Sequence, residues 1–363
     1  MSRVLVDLLF YTGRKGGMES YVREIYRRID PAAHDLEFIG LASTQLASTG
    51  APWFPGRLVD SGVDGEDRRA WAAGELFAVD RHARRLGADV VHAPANLGPA
   101  APKVPVVLTV HDLLAFRFPE YVPGPYAVVL RAMIRRAARR AARIVTVSES
   151  SKRDIVELLH VPEGRVDVTP LAGGPTAPPP TDLEREADLL LAVGNRMPHK
   201  NFTRLLEAIS RIPVDRRPRL VITGSHAEDP LLAEVRRLGI DDHVSLEGWV
   251  DSERLEELYA SATVFVFPTL FEGFGLPPLE AMSRGCPVIC SDLEVLRETA
   301  GAAAMYVDAE SSDAIADAIS TLLADPERRA AMSAAGRERA RSFSWQRTAD
   351  ATVSAIQRGL IPR

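Results

Sequence analysis

Residues 267–282 read FPTLFEGFGLPPLEAM, which is the end of an apolar strand, a glycine turn and the start of a helix. Gly273 and Gly275 permit a tight turn and a close approach of the backbone to a ligand. Pro277 or Pro278 suits the first helical turn, where the missing N–H is not needed. Because free amides and the dipole at a helix start favour a phosphate, the stretch predicts a strand–turn–helix unit with an anion site.

Two glutamates bracket this turn, with seven residues between Glu272 and Glu280. A carboxylate accepts paired hydrogen bonds from vicinal hydroxyls, such as those of a sugar or a ribose. A nucleotide sugar carries a sugar on one side of its phosphates and a ribose on the other, so two glutamates around a phosphate site match such a ligand. The alternative is that Glu280 only complements the helix dipole and that Glu272 is a solvated loop residue.

The same alternation of short apolar runs and longer helical patterns extends along the whole chain, as expected of parallel strands and crossover helices. In the first half we predict strands at 4–10, 36–41, 90–93, 104–110 and 143–147. Helices are predicted at 18–29, 69–86, 126–142 and 150–159. In the second half we predict strands at 189–193, 219–223, 244–246, 263–267, 288–291 and 304–307. The fold class is therefore α/β.

A length of 363 residues exceeds the roughly 250–300 residues at which one core stops growing, so two domains are expected. The periodicity stops in a proline-rich segment, which marks a linker. We predict a Rossmann-like domain at 1–172, a linker at 173–185, a second Rossmann-like domain at 186–342, and a helix crossing back to the first domain at 343–363. A ligand shared by two doubly wound domains is expected in the cleft between them.

Composition excludes several classes of function. The net charge of −5 argues against a general nucleic-acid binder. Cys286 and Cys290 are too few for a disulfide framework, and the eight histidines offer no close pair for zinc. No apolar run is long enough for a signal peptide or a membrane span, so we expect a cytoplasmic protein.

Four further segments are distinctive: Gly16-Gly17 after the first strand, VHD at 110–112, VSESS at 147–151 and GNRMPHKN at 194–201. With these segments, the stretch at 267–282 resembles the E-x7-E motif of retaining glycosyltransferases of family 4. The resemblance covers most of the chain. It implies the GT-B fold, in which two Rossmann-like domains face a central cleft.

The resemblance also implies roles on the donor side. Glu280 would hold the ribose hydroxyls and Glu272 the donor sugar. The amides of Phe274, Gly275 and Leu276 would bind the sugar and the distal phosphate.

Other roles implied by the resemblance concern the reacting centre. Arg196 and Lys200 would clamp the diphosphate, and His111 would lie beside the anomeric carbon. Gly16 and Gly17 would let the N-terminal backbone approach that carbon. From the residues alone, the two cations could equally be ordinary surface charges, and His111 could be structural.

The segment around Val250 is implied to contact the nucleotide base, while Asp251 could instead cap the following helix. Asn195 departs from the family pattern, in which many members place the arginine directly after the glycine.

One predicted helix carries a basic stripe at Arg131, Arg135, Arg136, Arg139, Arg140 and Arg143. Its apolar face is expected to pack on the sheet of the domain, and it is expected to lack large exposed aromatic residues. The stripe has two interpretations: peripheral contact with anionic lipids of the inner membrane face, or a solvated face with salt bridges.

We therefore predict a retaining glycosyltransferase, with a hexose favoured as the sugar. It would move the sugar from a nucleoside-diphosphate donor to an acceptor hydroxyl with α linkage, in the biosynthesis of a polysaccharide, glycolipid or glycosylated metabolite. The absence of an Asp-x-Asp pair favours a metal-independent enzyme without cofactors, in which fixed cations stabilise the leaving diphosphate. The alternatives are a nucleotide-sugar epimerase of the same architecture and a noncatalytic nucleotide-sugar sensor.

Overall fold

The computed structural model describes residues 1–13, 16–122, 124–174, 185–225 and 228–360. The chain forms two compact units, Met1–Leu171 with Trp345–Arg363, and Ala172–Ser344. Each unit is a parallel sheet with helices, so the predicted α/β class is confirmed. Ten of the residues predicted to form the linker, 175–184, lie outside the described residues.

The first unit has a seven-stranded sheet in the order β3-β2-β1-β4-β5-β6-β7. Its strands are β1 Ser2–Leu8, β2 Leu36–Ala42, β3 Arg57–Asp60, β4 Val90–Ala93, β5 Val106–Val110, β6 Arg143–Thr146 and β7 Val166–Val168. The strand order reverses beside β1, which pairs with both β2 and β4. Such a reversal places the loops after these strands at the topological switch point, where doubly wound sheets bind ligands. The edge strands β3 and β7 were not predicted, because they are short and only partly apolar.

The helices of this part of the chain are α1 Gly17–Tyr26, α2 Thr44–Thr49, α3 Arg68–Ala73, α4 Val79–Arg85, α5 Leu114–Arg117, α6 Gly124–Arg140 and α7 Glu149–Leu159. The single helix predicted at 69–86 is divided by a π-helical turn at Gly74–Ala78. This turn brings the carboxyl group of Glu75 to that of Asp7 on β1, and both residues are buried. Burial raises the pKa of both carboxyl groups. Trp71 Nε1 donates to Glu75 Oε1 at 2.7 Å.

The structure corrects the predicted basic stripe. Helix α6 ends at Arg140, whereas Arg143 lies in β6 and binds Asp167 with an N–O distance of 2.7 Å. The expectation that the helix lacks a large exposed aromatic residue is wrong, because Tyr126 is 42% exposed. The predicted apolar face is confirmed by the burial of Ile134, Ala137 and Ala141 and by the packing of Leu130 and Met133 on the core.

The second unit has a six-stranded sheet in the order β10-β9-β8-β11-β12-β13. Its strands are β8 Leu189–Val193, β9 Arg219–Ser225, β10 Val244–Gly248, β11 Val264–Phe267, β12 Val288–Ser291 and β13 Ala304–Val307. Its helices are α8 Phe202–Arg211, α9 Leu232–Leu238, α10 Ser252–Ser261, α11 Leu276–Ser283, α12 Glu294–Ala300, α13 Ser312–Ala324 and α14 Pro326–Arg341. All six strands lie within two residues of their predicted bounds. Their continuous apolar runs are typical of strands buried on both faces.

The last helix, α15 Trp345–Leu360, packs on the first unit against α1, β4, β5 and β6. Thr348 Oγ1 donates to the carbonyl oxygen of Pro170 at 2.6 Å. Gly359 allows close packing, since a Cβ there would lie 2.6 Å from Val107 Cγ2.

Candidate active site

In the second unit, the loops that follow β8 and β11 are bound to each other. These two strands are neighbours in the parallel sheet, so their carboxyl ends meet at one edge. The backbone N–H of Leu270 donates to the carbonyl oxygen of His199 at 2.7 Å. Asn201 Nδ2 donates to the carbonyl oxygen of Pro268 at 3.0 Å. These bonds fix the two loops relative to each other before any ligand binds.

The same loops bring two predicted site residues together. Lys200 Nζ lies 2.6 Å from Glu272 Oε1, and each side chain is only 13% exposed. The ammonium group also lies 5.2 Å from the centroid of the Phe267 ring. Poor access to water strengthens this ion pair relative to a surface pair. Both groups therefore stand at the edge of the sheet where the glycine turn begins.

The glycine turn adopts the conformation that its sequence predicts. Gly275 has a φ of +97° and is the N-cap of α11, with prolines in the first helical turn. The positive φ of Gly275 disfavours any other residue, and a Cβ there would also displace Leu296 Cδ2, which would lie 2.5 Å away. Thr299 Oγ1 donates to the carbonyl oxygen of the buried Phe274 at 2.5 Å. Among the described residues no side chain caps α11, so the helix start from Leu276 keeps its attraction for an anion.

Glu280 lies one turn further along α11 and is held by α10. Tyr259 Oη donates to Glu280 Oε2 at 3.0 Å. Burial raises the pKa of Glu280, and the charge of Arg284 opposes this rise. The guanidinium of Arg284 binds Glu256 and lies 5.1 Å from the Tyr259 ring. Sequence reasoning missed Tyr259, because a tyrosine in an amphipathic helix is typical of the core.

Gly173 is a second residue that sequence reasoning missed. A Cβ at Gly173 would lie 2.5 Å from the carbonyl carbon of Leu279, so only glycine lets this segment lie against the α11 backbone. Its carbonyl oxygen accepts hydrogen bonds from Ser283 Oγ at 2.7 Å and Arg284 Nη1 at 3.0 Å. The position was predicted as the start of the linker, but it packs within the second unit.

The structure does not leave Arg196 available for the predicted diphosphate clamp. Its side chain is 7% exposed, and its Nε and Nη2 bind Asp229 at distances of 2.6–3.0 Å. Nη1 donates to the carbonyl oxygens of Gly194 and Thr223, and Nη2 donates to that of Ile222. All five N–H groups of the guanidinium are therefore engaged within the unit. Arg196 joins the ends of β8 and β9. The role of Lys200 in a diphosphate clamp stays a prediction.

Val250 lies between β10 and α10. Asp251 is the N-cap of α10, and its Oδ1 accepts a hydrogen bond from the backbone N–H of Arg254 at 2.8 Å. The interpretation of Asp251 as a helix cap is therefore confirmed. Contact between Val250 and a nucleotide base stays a prediction.

His111 lies in the first unit, directly after β5. Its Nε2 lies 2.8 Å from the carbonyl oxygen of Pro94, which can only accept, so Nε2 carries the proton. Its backbone N–H donates to Asn96 Oδ1 at 2.7 Å, and its ring packs edge-on against Tyr21. Burial lowers the pKa of His111, while the Pro94 carbonyl and the charge of Asp112 oppose this effect. The imidazole is therefore neutral at pH 7, with Nδ1 as its unprotonated nitrogen.

The predicted glycine pair stands at the start of α1, with Gly16 as its N-cap. A Cβ at Gly17 would meet no atom within 4 Å, so packing within this unit does not require glycine there. Glu19 Oε1 accepts hydrogen bonds from the backbone N–H groups of Thr12 at 2.6 Å and Gly13 at 3.1 Å. The buried Glu19, which sequence reasoning missed, fixes the loop that precedes the glycines.

The described part of the chain contains no group of three or more His, Cys, Asp or Glu side chains that could hold a metal ion. Cys286 and Cys290 are free and buried, and burial raises the pKa of each thiol to about 12. Among the described residues, no helix is both long and apolar enough to cross a membrane.

Comparison with known proteins agrees with these features. Residues 176–339 match the family model described as "Glycosyl transferases group 1", and residues 15–172 match the model described as "Glycosyltransferase Family 4". The O-antigen chain mannosyltransferase B of Escherichia coli is 34% identical over 265 residues, which cover 69% of this chain and 70% of that relative. The MMP alpha-(1->4)-mannosyltransferase of Mycolicibacterium hassiacum is 28% identical over 98% of both chains. These matches give no support to the epimerase alternative.

A solved structure shares the fold. The crystal structure of Anabaena Alr3699/HepE in complex with UDP-glucose superimposes with a TM-score of 0.74 at 16% identity, over 98% of this chain and 98% of that chain. This likeness confirms the predicted fold of two Rossmann-like domains. The chain is a GT-B enzyme and belongs to glycosyltransferase family 4.

Proposed function

We propose that the protein is a retaining hexosyltransferase, with mannose as the favoured sugar, that uses a nucleoside-diphosphate sugar and forms an α linkage to an acceptor hydroxyl. One observation carries the proposal: the Lys200–Glu272 pair lies at the glycine turn that leads into an uncapped helix, with Glu280 held one turn further on. The mannosyltransferase names of the two relatives support the choice of sugar.

The donor would bind mainly to the second unit. The amides at the start of α11, from Phe274 to Leu276, offer donors to the distal phosphate and the sugar. Glu280 would accept hydrogen bonds from the two ribose hydroxyls, with Tyr259 fixing the orientation of its carboxylate. Val250 would pack against the base. Glu272 would accept hydrogen bonds from hydroxyls of the transferred sugar while it keeps its ion pair with Lys200.

Lys200 would stabilise the leaving diphosphate. In the reaction, the bond between the anomeric carbon and the phosphate oxygen breaks, and negative charge collects on the diphosphate. A fixed cation in a poorly solvated site stabilises that charge without reorganisation. The engagement of its five N–H groups within the second unit argues against this role for Arg196. We therefore assign the role to Lys200 and propose that transfer proceeds without a divalent metal.

The first unit would serve the acceptor and the reacting carbon. Gly16 and Gly17 would let the backbone approach the sugar, in agreement with the open space around Gly17. His111 is neutral, and its Nε2–H is directed at the Pro94 carbonyl, so it would orient the sugar through polar contact and supply no charge. No carboxylate is assigned as a nucleophile at the anomeric carbon. We propose that the acceptor oxygen attacks from the side of the departing diphosphate, which takes up the acceptor proton.

The acceptor could lie at a membrane, as part of a glycolipid or a growing polysaccharide. Helix α6 begins with exposed apolar side chains and ends with exposed arginines. Val128 is 60% exposed and Val129 is 54% exposed, and Arg139 and Arg140 are exposed in the last turn. Apolar and basic groups on one helix suit reversible contact with anionic lipids. We propose this contact as a peripheral association on the cytoplasmic side of the inner membrane.

Ligand-dependent stabilisation tests the proposal. A ligand that binds only the folded state raises the melting temperature. We expect GDP, UDP or their sugar conjugates to raise Tm for the native protein, and we expect the effect to be lost in Glu280→Ala. No stabilisation by any nucleoside diphosphate would overturn the proposed donor site. Nucleotide binding without turnover of any donor and acceptor would favour the noncatalytic sensor.

A further inference from the structure

A cavity of about 570 Å³ lies in the first unit at the carboxyl ends of β1 and β2. Tyr11 and Thr12 of the loop after β1 line the cavity together with residues of α2. Trp53 and Glu66 complete the lining. The volume is sufficient for one or two sugar rings, within the range of small-ligand sites. No residue assigned so far to the donor lies in this cavity.

Hydrogen bonds hold the segments that line the cavity together, and two of them are buried. Ser43 Oγ donates to the Tyr11 carbonyl oxygen at 2.5 Å and accepts from the backbone N–H of Leu46 at 3.1 Å. Gln45 Oε1 accepts from the backbone N–H of Gly65 at 3.0 Å. A Cβ at Gly65 would lie 2.7 Å from the carbonyl oxygen of Leu9, so only glycine lets these segments meet. The cavity is therefore preformed.

Aromatic rings form one side of the cavity. The ring centroids of Tyr11 and Trp53 lie 5.2 Å apart with an interplanar angle of 34°. Trp53 also packs edge-on against the buried Phe54, which holds the indole in place. Trp53 remains partly exposed. A large, rigid and accessible aromatic face suits the C–H face of a pyranose ring.

Polar groups also line the cavity. The hydroxyls of Ser48 and Thr49 donate to the Gln45 carbonyl oxygen, so each hydroxyl oxygen keeps the capacity to accept a hydrogen bond. Glu66 adds a carboxylate at an exposed position. Acceptor groups next to an aromatic face match the hydroxyls of a sugar.

The charge of the lining selects against a phosphate. Among the described residues that line the cavity, none is basic and Glu66 is acidic. The nearby cation Arg23 is hydrogen-bonded to the Tyr11 hydroxyl. A phosphorylated ligand would bring its negative charge towards the Glu66 carboxylate, which is unfavourable. The acidic lining residue therefore favours a neutral sugar over a sugar phosphate.

The cavity is connected to the glycine pair. The carboxylate of Glu19, in the first turn of α1, binds the backbone N–H groups of Thr12 and Gly13. Thr12 and Gly13 line the cavity, while Gly16 and Gly17 begin the helix that carries Glu19. A sugar in the cavity thus contacts the same loop that leads to the glycines.

We propose that this cavity binds a neutral pyranose unit of the acceptor glycan, with its C–H face on Trp53 and its hydroxyls on Ser48, Thr49 and Glu66. The inference rests on the proposed function, because it takes the acceptor to be a carbohydrate. It identifies Trp53 as a specificity-determining residue for a neutral glycan acceptor.

Saturation-transfer NMR tests the proposal with methyl α-D-mannopyranoside and mannose 6-phosphate at millimolar concentration. We expect the native protein to bind the neutral glycoside and to bind the phosphate at least about tenfold more weakly. Trp53→Ala should lose about tenfold or more in affinity, whereas Trp53→Phe, which keeps an aromatic face, should lose less. Phe77→Ala is the matched control, since Phe77 is an exposed aromatic residue of the same unit outside the cavity lining.

Equal sugar binding by the native and Trp53→Ala proteins would overturn the subsite, and so would tighter binding of mannose 6-phosphate. Failure to detect any sugar would do the same. Melting temperatures with GDP and UDP, measured on the same samples, separate this outcome from failure of the proposed function. Loss of sugar binding with retained nucleotide binding refutes only the subsite, whereas absence of nucleotide binding refutes the donor site.

Discussion

Replacing Lys200 by methionine removes the charge and keeps most of the side-chain volume. If Lys200 stabilises the diphosphate as it leaves, the substitution must cost more in the transition state than in the bound ground state. Loss of one preorganised charge contact typically lowers kcat by about 10²-fold, which corresponds to about 2.7 kcal/mol. We therefore expect kcat to fall about 10²-fold while the Kd of the donor rises by a smaller factor.

The Lys200–Glu272 pair makes a stability control necessary. The two groups lie 2.6 Å apart and are each 13% exposed, so Lys200→Met leaves a poorly solvated carboxylate without its cation. Breaking a fully buried pair typically costs roughly 3–5 kcal/mol, and partial exposure lowers this to about 2 kcal/mol. The double variant Lys200→Met/Glu272→Gln removes both charges. We expect it to recover most of the stability and none of the turnover.

Urea denaturation measures stability, and single-turnover kinetics with calorimetry separates chemistry from binding. A folded Lys200→Met enzyme with unchanged kcat and only a raised KM would show that Lys200 contributes uniform binding. The assignment of Lys200 to the leaving group would then be wrong. Recovery of turnover in the double variant would equally refute it, because low activity would then have come from the uncompensated carboxylate.

Four further predictions address other parts of the molecule. Glu280→Ala should weaken nucleoside-diphosphate binding by about tenfold or more in calorimetry, because a charged acceptor of hydrogen bonds is lost; unchanged binding would return Glu280 to a role in the helix alone. Activity should survive EDTA, and loss restored by Mn²⁺ or Mg²⁺ would contradict the charge clamp. Folding raises the pKa of Asp7 and Glu75. Their contribution to the free energy of unfolding is therefore greatest below their unfolded pKa values of about 4, and it is lost as pH rises through their folded pKa values. In urea titrations, the free energy of unfolding of Glu75→Gln should therefore rise relative to that of the native protein between about pH 5 and pH 8. If the difference between the two proteins did not change with pH, titration of Glu75 would be excluded as its cause. Flotation at low salt should show binding to anionic vesicles that is lost in Arg139→Glu/Arg140→Glu, and no binding by the native protein would end the membrane proposal.

The strands and the glycine turn could be predicted because local sequence determines them. The apolar runs of the second unit fix its strands, and Gly275 followed by prolines fixes the start of α11. The hydrogen-bond partners of a side chain, in contrast, can be far away in the sequence, so local patterns do not predict them. The family resemblance assigned Arg196 to the diphosphate, but Asp229, 33 residues later, binds its guanidinium within the second unit. Likewise, the hydrogen bond between Tyr259 and Glu280 joins two different helices, α10 and α11, and no local sequence pattern indicates it.

Proton NMR of the product tests the central claim most directly. The native enzyme is incubated with GDP-α-D-mannose or UDP-α-D-glucose and methyl α-D-mannopyranoside, and the anomeric signals are followed in time. The account predicts release of the nucleoside diphosphate together with a new α-linked disaccharide from one of the two donors, and neither change in Lys200→Met at comparable times. A β-linked product, or an isomerised donor sugar formed without acceptor, would contradict it.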